Sequence, residues 1–234
     1  MDFNQFGYQQ ADAALESNVT RVMRRVYLKM TLGLVVTALI SLLFASDASL
    51  MSMVFANRLV FWGLIIAELA VVFTLSGAIN KLSPAVASLL FYGYSALNGV
   101  VLSSIFIVYA PESIAKTFFI TAGVFGAMTI YGYCTTRNLA RLGSFLFMAL
   151  IGLIICSVVN IFVASSGLDW IISLAGVAIF IGLTAWDTQK IKQWVAYDGG
   201  VNTGKIATMG ALSLYLDFVN LFLYLLRFFG SSRD

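Results

Sequence analysis

Apolar stretches of about 20 residues follow one another along almost the whole chain, and that succession leaves few folds open. A stretch of that length crosses the hydrocarbon core of a bilayer as a single α-helix. Barrel strands would instead alternate polar and apolar residues over about ten positions. Composition agrees: 60% of the 234 residues are hydrophobic and 11% are charged, whereas a soluble domain carries about 25% charged residues. The expected fold is therefore all-α, a polytopic membrane protein with seven transmembrane helices. The spans fall at roughly 30–46, 59–79, 85–109, 114–134, 144–166, 170–188 and 208–229. Residues 1–28 form a polar N-terminal segment, and residues 29–234 one seven-helix transmembrane domain. Short connections make neighbouring helices antiparallel. Pro84 and Pro111, the only prolines, fall at span edges, where they start or stop helices without kinking them. The pairs Gly123/Ala127 and Ala178/Gly182 are spaced to let helices approach closely.

The N-terminus MDFNQFGYQQADAALESN lacks the basic start and apolar stretch of a secretory signal, so the first span serves as its own insertion signal. The following SNVTRVMRRVYLKM is able to start a helix at Ser17 or Asn18. It reads as a lead-in lying along the anionic inner leaflet, with a docking tail for a partner as the other reading. With the N-terminus inside, the inner segments hold Arg21, Arg24, Arg25, Lys29, Lys81, Arg137, Arg141, Lys190, Lys192 and Lys205, and the outer side Arg58, Lys116, Arg227 and Arg233. That excess of inner cations orients the chain, and an odd number of spans places the C-terminus outside. The net charge of +3 then reflects leaflet anchoring, not nucleic-acid binding. Cys134 and Cys156 are isolated and read as small apolar fillers, and the chain has no histidine to serve as general base or metal ligand.

Most charges sit in loops. The exceptions are Glu68 in span two, Asp187 at the inner end of span six, Asp217 in span seven and Arg227 near its outer end. A charge at the bilayer centre costs about 2.5–3.5 kcal/mol on insertion scales, so each calls for a buried partner or a water-filled crevice. In span seven, Gly210, Ser213, Asp217, Asn220, Tyr224 and Arg227 recur at intervals of 3, 4, 3, 4 and 3. Residues so spaced share one helical face. Lipid does not satisfy such a stripe, which places span seven at or near the bundle centre. Asp187 lies on the neighbouring antiparallel span, separated by a loop of about 19 residues. Spacing permits an Asp187–Asp217 contact without establishing it. In contact, the two carboxyls would hold one proton across a hydrogen bond; losing it would press two like charges together and part the helices or recruit a cation. Ionised, they offer the hard oxygen ligands that Ca²⁺ prefers. Glu68 and Arg227, both assigned to the outer half, form the natural second pair. Two readings of these four residues stand: a structural set that fixes helix register, and an ion pathway or proton switch. Asn98, Asn160 and Asn220 read as interhelical glue.

TAWDTQKIKQ (184–193) followed by LSLYLDFVNLFLYLLRFFG (212–230) resembles the two signature segments of the Bax inhibitor-1 family, the transmembrane Bax-inhibitor-motif proteins. The seven spans and the acidic residue in span two fit as well, and the short polar N-terminus resembles that of bacterial, inner-membrane members. The resemblance implies six helices surrounding a central C-terminal helix, and a pH-sensitive calcium leak controlled by two aspartates. Residue by residue, Asp187 and Asp217 match the proton sensor and gate, Glu68 the span-two glutamate, and Arg227 the arginine ten residues past the second aspartate. Where some members latch the first aspartate with an arginine near the inner end of span two, the nearest cation here is Lys81, which makes a point contact and not a fork. Ser213, Asn220 and Tyr224 complete the expected pore lining.

The leading expectation is a non-enzymatic, proton-regulated cation leak. Ca²⁺ would be the transported ion, bound transiently at Asp187 and Asp217, with no tightly bound cofactor and a monomer in the lipid bilayer. The alternative is a regulatory membrane protein that binds and restrains a membrane-bound quality-control protease or stress component, as the resemblance to other bacterial relatives implies. An intramembrane aspartyl protease would need G-x-G-D at the second aspartate, where this chain has LYLD. A retinal pump would need a lysine in span seven, which has only Arg227. No Gly-rich phosphate loop, metal-spaced cysteine cluster or nucleophile–base arrangement is visible.

Overall fold

Four of the helices begin where a polar side chain takes up free amides of the first turn. Asp47 accepts from the amides of Ser49 and Leu50 and opens α2 (Ala48–Phe55), and Asn57 accepts from Leu59 and Val60 and opens α3 (Arg58–Ala78). A 3₁₀ turn at Ile79–Lys81 ends α3. Ser83, followed by Pro84 at the first helical position, opens α4 (Pro84–Leu102). After a break at Ser103 and Ser104 come the one-turn α5 (Ile105–Val108), then α6 (Pro111–Cys134), again started by proline, and α7 (Ala140–Val163). Ser165 caps α8 (Ser166–Asp198), and α9 (Thr203–Phe229) closes the chain. The first helix, α1 (Phe3–Ser46), precedes them all. The structure, a computed structural model, describes residues 3–231, with side chains from residue 14 onward. Arg233 and the first two residues lie outside the described residues, as do the side chains of the rest of the N-terminal 13.

Seven helices are long and apolar enough to cross a membrane, and together they form the expected polytopic all-α bundle. Their outward faces carry Leu39, Phe73, Phe119, Phe145 and Phe162, all exposed, a surface that only a bilayer would cover. Burial ranks the helices clearly. In the most apolar window of α9, 67% of residues are inside the bundle, against 6% for α3 and 11% for α7, so α9 is the central helix. It packs against α8, α1, α6 and α4, while α3 packs on α4 and α7 on α8, outside that inner ring.

Three features depart from the sequence expectation. First, α1 runs unbroken from Phe3, ahead of the start expected at Ser17 or Asn18. Val19, Val22, Met23, Val26 and Met30 recur at helical intervals and are buried, which gives the polar segment an apolar stripe to pack on α8 and α9. Second, α8 continues to Asp198 and α9 already begins at Thr203, which together shrink the expected 19-residue loop to residues 199–202. The 44 residues of α1 and 33 of α8 span about 66 and 50 Å, well beyond a 30 Å hydrocarbon core. The two helices project together from the basic end of the bundle, with Ile191 and Val195 of α8 buried in the extension. Third, Gly123 and Ala127 are exposed, with nothing near Gly123 for a side chain to meet, so they mediate no helix contact. Of the two expected pairs only Gly182 makes a close approach, and a second lies at Gly132. Any Cβ on Gly132 of α6 would collide with the Ala185 backbone of α8, and one on Gly182 would come within 2.5 Å of Leu146 of α7. The two cysteines are free and exposed, facing outward and filling no core space.

A candidate ion site at the seam of the last two helices

The register of α8 on α9 can be read from two close contacts. Gly210 lies against Ile191, and Gly176 against the ring of Tyr224. Counting from them, Asp187 is level with Leu214 and Asp217 with Thr184, an axial offset of about three residues or 4.5 Å. Helical side chains tilt towards their own N-terminus. In antiparallel helices that tilt brings Asp187 and Asp217 towards each other. Much of the polar stripe of α9 lies along this seam: Gly210 meets Ile191, Tyr224 meets Gly176 and exposed Arg227 meets Asp169.

Both carboxyls are withdrawn from solvent, Asp187 with 8% and Asp217 with 4% of its surface exposed. Lys190, one turn on from Asp187, places its Nζ 3.4 Å from Asp187 Oδ1. The same ammonium stands 4.4 Å from the Trp186 ring centre and 4.9 Å from that of Trp194, so two rings and a carboxylate hold it at the seam. The electrostatic neighbours of Asp217 are Asp187 and Lys190. Asp217 Oδ2 is buried without a hydrogen-bond partner, and no hydrogen bond joins the two carboxyls. Two nearby threonine hydroxyls are committed to their own helix: Thr184 donates to Phe180 O and Thr188 to Thr184 O, each at 2.8 Å. With both carboxyls ionised, the cluster holds two negative charges against one positive. A proton or a cation is required to balance it.

The other expected site residues are dispersed. Lys81 is exposed and makes no ion pair among the described residues; Lys190 takes the place at Asp187 that Lys81 was expected to fill. Ser213 is half-buried on the seam and forms no hydrogen bond among the described residues. Asn220 donates to Leu216 O of its own helix at 2.8 Å, and Tyr224 stacks on Phe180 with ring centres 5.9 Å apart. The expected Glu68–Arg227 pair is not formed. Arg227 Nη1 instead meets Asp169 Oδ1 at 3.2 Å, bridging the last turn of α9 to the first turn of α8. Glu68 sits in the middle of α3, beside Asn98 and Tyr94 of α4. There Tyr215 of α9 donates to Asn98 Oδ1 at 3.3 Å and meets Thr37 Oγ1 of α1 at 2.6 Å. Arg227 is 12 residues beyond Tyr215, about 18 Å along the helix, and α3 does not pack on that part of the bundle. Of the three asparagines expected to join helices, Asn98 does so, whereas Asn160 accepts from Ser165 in the α7–α8 turn and Asn220 bonds within α9.

Asp169 falls just outside the expected span six, Lys190 was expected only as one of the inner cations, and Trp186, Trp194 and Phe180 had no expected role. The i±4 tryptophans around Lys190 were a legible signal. The Asp169–Arg227 contact, which depends on the ends of two helices meeting, was not.

Comparison with known proteins identifies the family. Residues 19–234 match the family described as "Inhibitor of apoptosis-promoting Bax1". Over 214 residues the chain is 51% identical to the inner membrane protein YbhL of Escherichia coli K12, covering 90% of this chain and 92% of that protein. It is 44% identical to an uncharacterized protein of Borreliella burgdorferi over 92% of this chain and 93% of that one, and 42% identical to the uncharacterized protein RP147 of Rickettsia prowazekii over 94% and 93%. A multi-pass helical bundle, matched over nearly its whole length, therefore belongs to the Bax inhibitor family of membrane proteins.

Proposed function

We propose that this protein is a pH-sensitive cation leak of the bacterial inner membrane, with Ca²⁺ as the conducted ion and the Asp187–Asp217 pair as its proton-operated gate. The observation that carries the reading is the unpartnered Oδ2 of buried Asp217, facing Asp187 with Lys190 as the only cation bonded to the pair among the described residues. A structural ion-pair set would satisfy its members, because an unmet buried carboxyl oxygen destabilises the fold. Here one negative charge is left over when both acids ionise. A proton on the pair keeps the α8–α9 seam shut. Its loss sets like charges against each other, which loosens the seam and offers oxygen ligands to a passing divalent ion. Two carboxylates suit transient passage better than storage. Among the described residues no group of three or more metal-ligating side chains forms a cage. The inner-membrane location draws on the E. coli relative's description, and the basic end of the bundle is assigned to the cytoplasm on the positive-inside bias.

The test is Ca²⁺ flux in liposomes holding the purified protein, followed across pH. Flux should rise as the pair loses its proton, and Asp187→Asn and Asp217→Asn should each flatten that response. Variants that keep both the flux and its pH dependence would remove the gate.

A further inference from the structure

At the end of the bundle away from the basic side, α7, α8 and α9 diverge around an open crevice of about 470 Å³. Its walls carry Ser157 and Asn160 of α7, Asp169 of α8, and Asn220, Tyr224 and Arg227 of α9. A second groove of comparable size, between α1, α6 and α9, is lined almost wholly by residues such as Leu34, Phe118, Phe218 and Phe222. That one suits lipid. The crevice, where two carboxamides, two hydroxyls and an ion pair stand among Ile161, Ile172 and Leu223, admits water and ions.

The crevice points at the aspartate pair. Asn220 lies three residues from Asp217, about 4.5 Å along α9. By the register of the seam Phe180 is level with Asn220, one turn from Thr184, and only 5% of its surface is exposed. The Tyr224 ring stacks on it at an interplanar angle of 24° and rests on Gly176, where any Cβ would come within 2.6 Å of the ring. The Tyr224 ring lines the crevice and buried Phe180 backs it, on the side towards Asp217. At its mouth the Asp169–Arg227 pair is 46% exposed on both sides, and its charges cancel.

We propose that this crevice is the cation vestibule of the leak: Asp169 neutralises Arg227 so that a hydrated cation can enter, and the Phe180–Tyr224 stack is the constriction between the vestibule and Asp217. The assignment rests on the leak reading but on different residues. It makes opposite demands on the two partners of one salt bridge. Asp169→Asn leaves a lone arginine at the mouth and should lower Ca²⁺ entry from that side by about 3–10-fold, the effect of one unit charge on a divalent ion near a screened surface. Arg227→Gln leaves a lone carboxylate and should raise entry by a similar factor. The double variant should fall between them, and all differences should shrink in high salt. A pair that merely clips two helix ends would make both single variants change in the same direction, which would overturn the proposal.

A second measurement does not depend on flux. On a background carrying Cys134→Ser and Cys156→Ser, an Asn220→Cys substitution should react with a membrane-impermeant thiol reagent added on the Arg227 side only. Phe180→Ala should carry that reactivity deeper, to a Ser213→Cys substitution. No labelling at position 220 from that side, with Asp217→Asn still flattening the pH response, would refute the vestibule and leave the leak intact. Labelling and charge effects as described, with Asp217→Asn inert, would keep the vestibule and discard the aspartate gate.

Discussion

Replacing Asp217 with asparagine removes one charge while keeping the side chain's size, so its effect can be worked out from the seam. The axial offset of three residues, closed by the opposite tilts of the two side chains, places the carboxyls at roughly 5–6 Å. Two unit charges at that distance repel by about 3 kcal/mol at an effective dielectric constant of about 20. The Lys190 ammonium, 3.4 Å from Asp187, offsets part of this. The net push on the closed seam is then about 1.5–3 kcal/mol, or roughly 10–100-fold in the closed-to-open ratio. In the proposed gate the closed state holds the extra proton, so linkage would make opening grow as pH rises and the proton leaves. In proteoliposomes with a trapped Ca²⁺ dye, the parent protein should gain roughly 10–100-fold in flux between the acid and alkaline ends of its pH range, and Asp217→Asn less than about 3-fold. An asparagine variant whose flux still rises tenfold over that range would refute charge repulsion at the seam as the opening force.

Other consequences are simpler to read. Tyr215→Phe removes the hydroxyl shared with Thr37 and Asn98 and should cost about 1–2 kcal/mol, seen as a fall of a few degrees in Tm in detergent, with the pH response of flux unchanged. Gly132→Leu drives a side chain into the Ala185 backbone and should lower Tm by more than any conservative core change, because backbone cannot move aside as a side chain does. Gln189→Ala frees the amide of Leu139 and the carbonyl of Arg137, both held at 2.8 Å; it should loosen the α6–α7 loop by about 1–3 kcal/mol and speed proteolysis there. Deleting residues 1–16 leaves the buried stripe that begins at Val19, so Tm and flux should both persist, and loss of a co-purifying partner with flux intact would favour the regulatory reading.

Much of the candidate site was legible because membrane insertion penalises polar residues so steeply that each one stands out. The stripe from Gly210 to Arg227 needed only helical spacing to be seen, and its inward orientation followed from the absence of water in lipid. Partner choice was not legible. Glu68 and Arg227 looked complementary as the acid and the cation of the outer half, yet α3 packs on α4, and Arg227 meets Asp169 across the ends of α8 and α9. Lys81 was the expected latch because it lies nearest the span-two position where relatives carry an arginine, whereas the extension of α8, which carries Lys190 between its two tryptophans, read as loop. Its charged and polar residues broke the apolar run, though the helix itself continued.

Composition and periodicity by themselves determined that the chain crosses the membrane as seven helices, that the last of them is central, and that its acidic residue faces protein. Those properties follow from transfer energies and a 3.6-residue repeat, which are local. Tertiary structure alone decided which acid sits beside which cation, and that a polar crevice opens above the aspartates. These depend on helix register and on angstrom-scale approaches at Gly132, Gly176 and Gly210, set by side-chain packing between segments far apart in the chain.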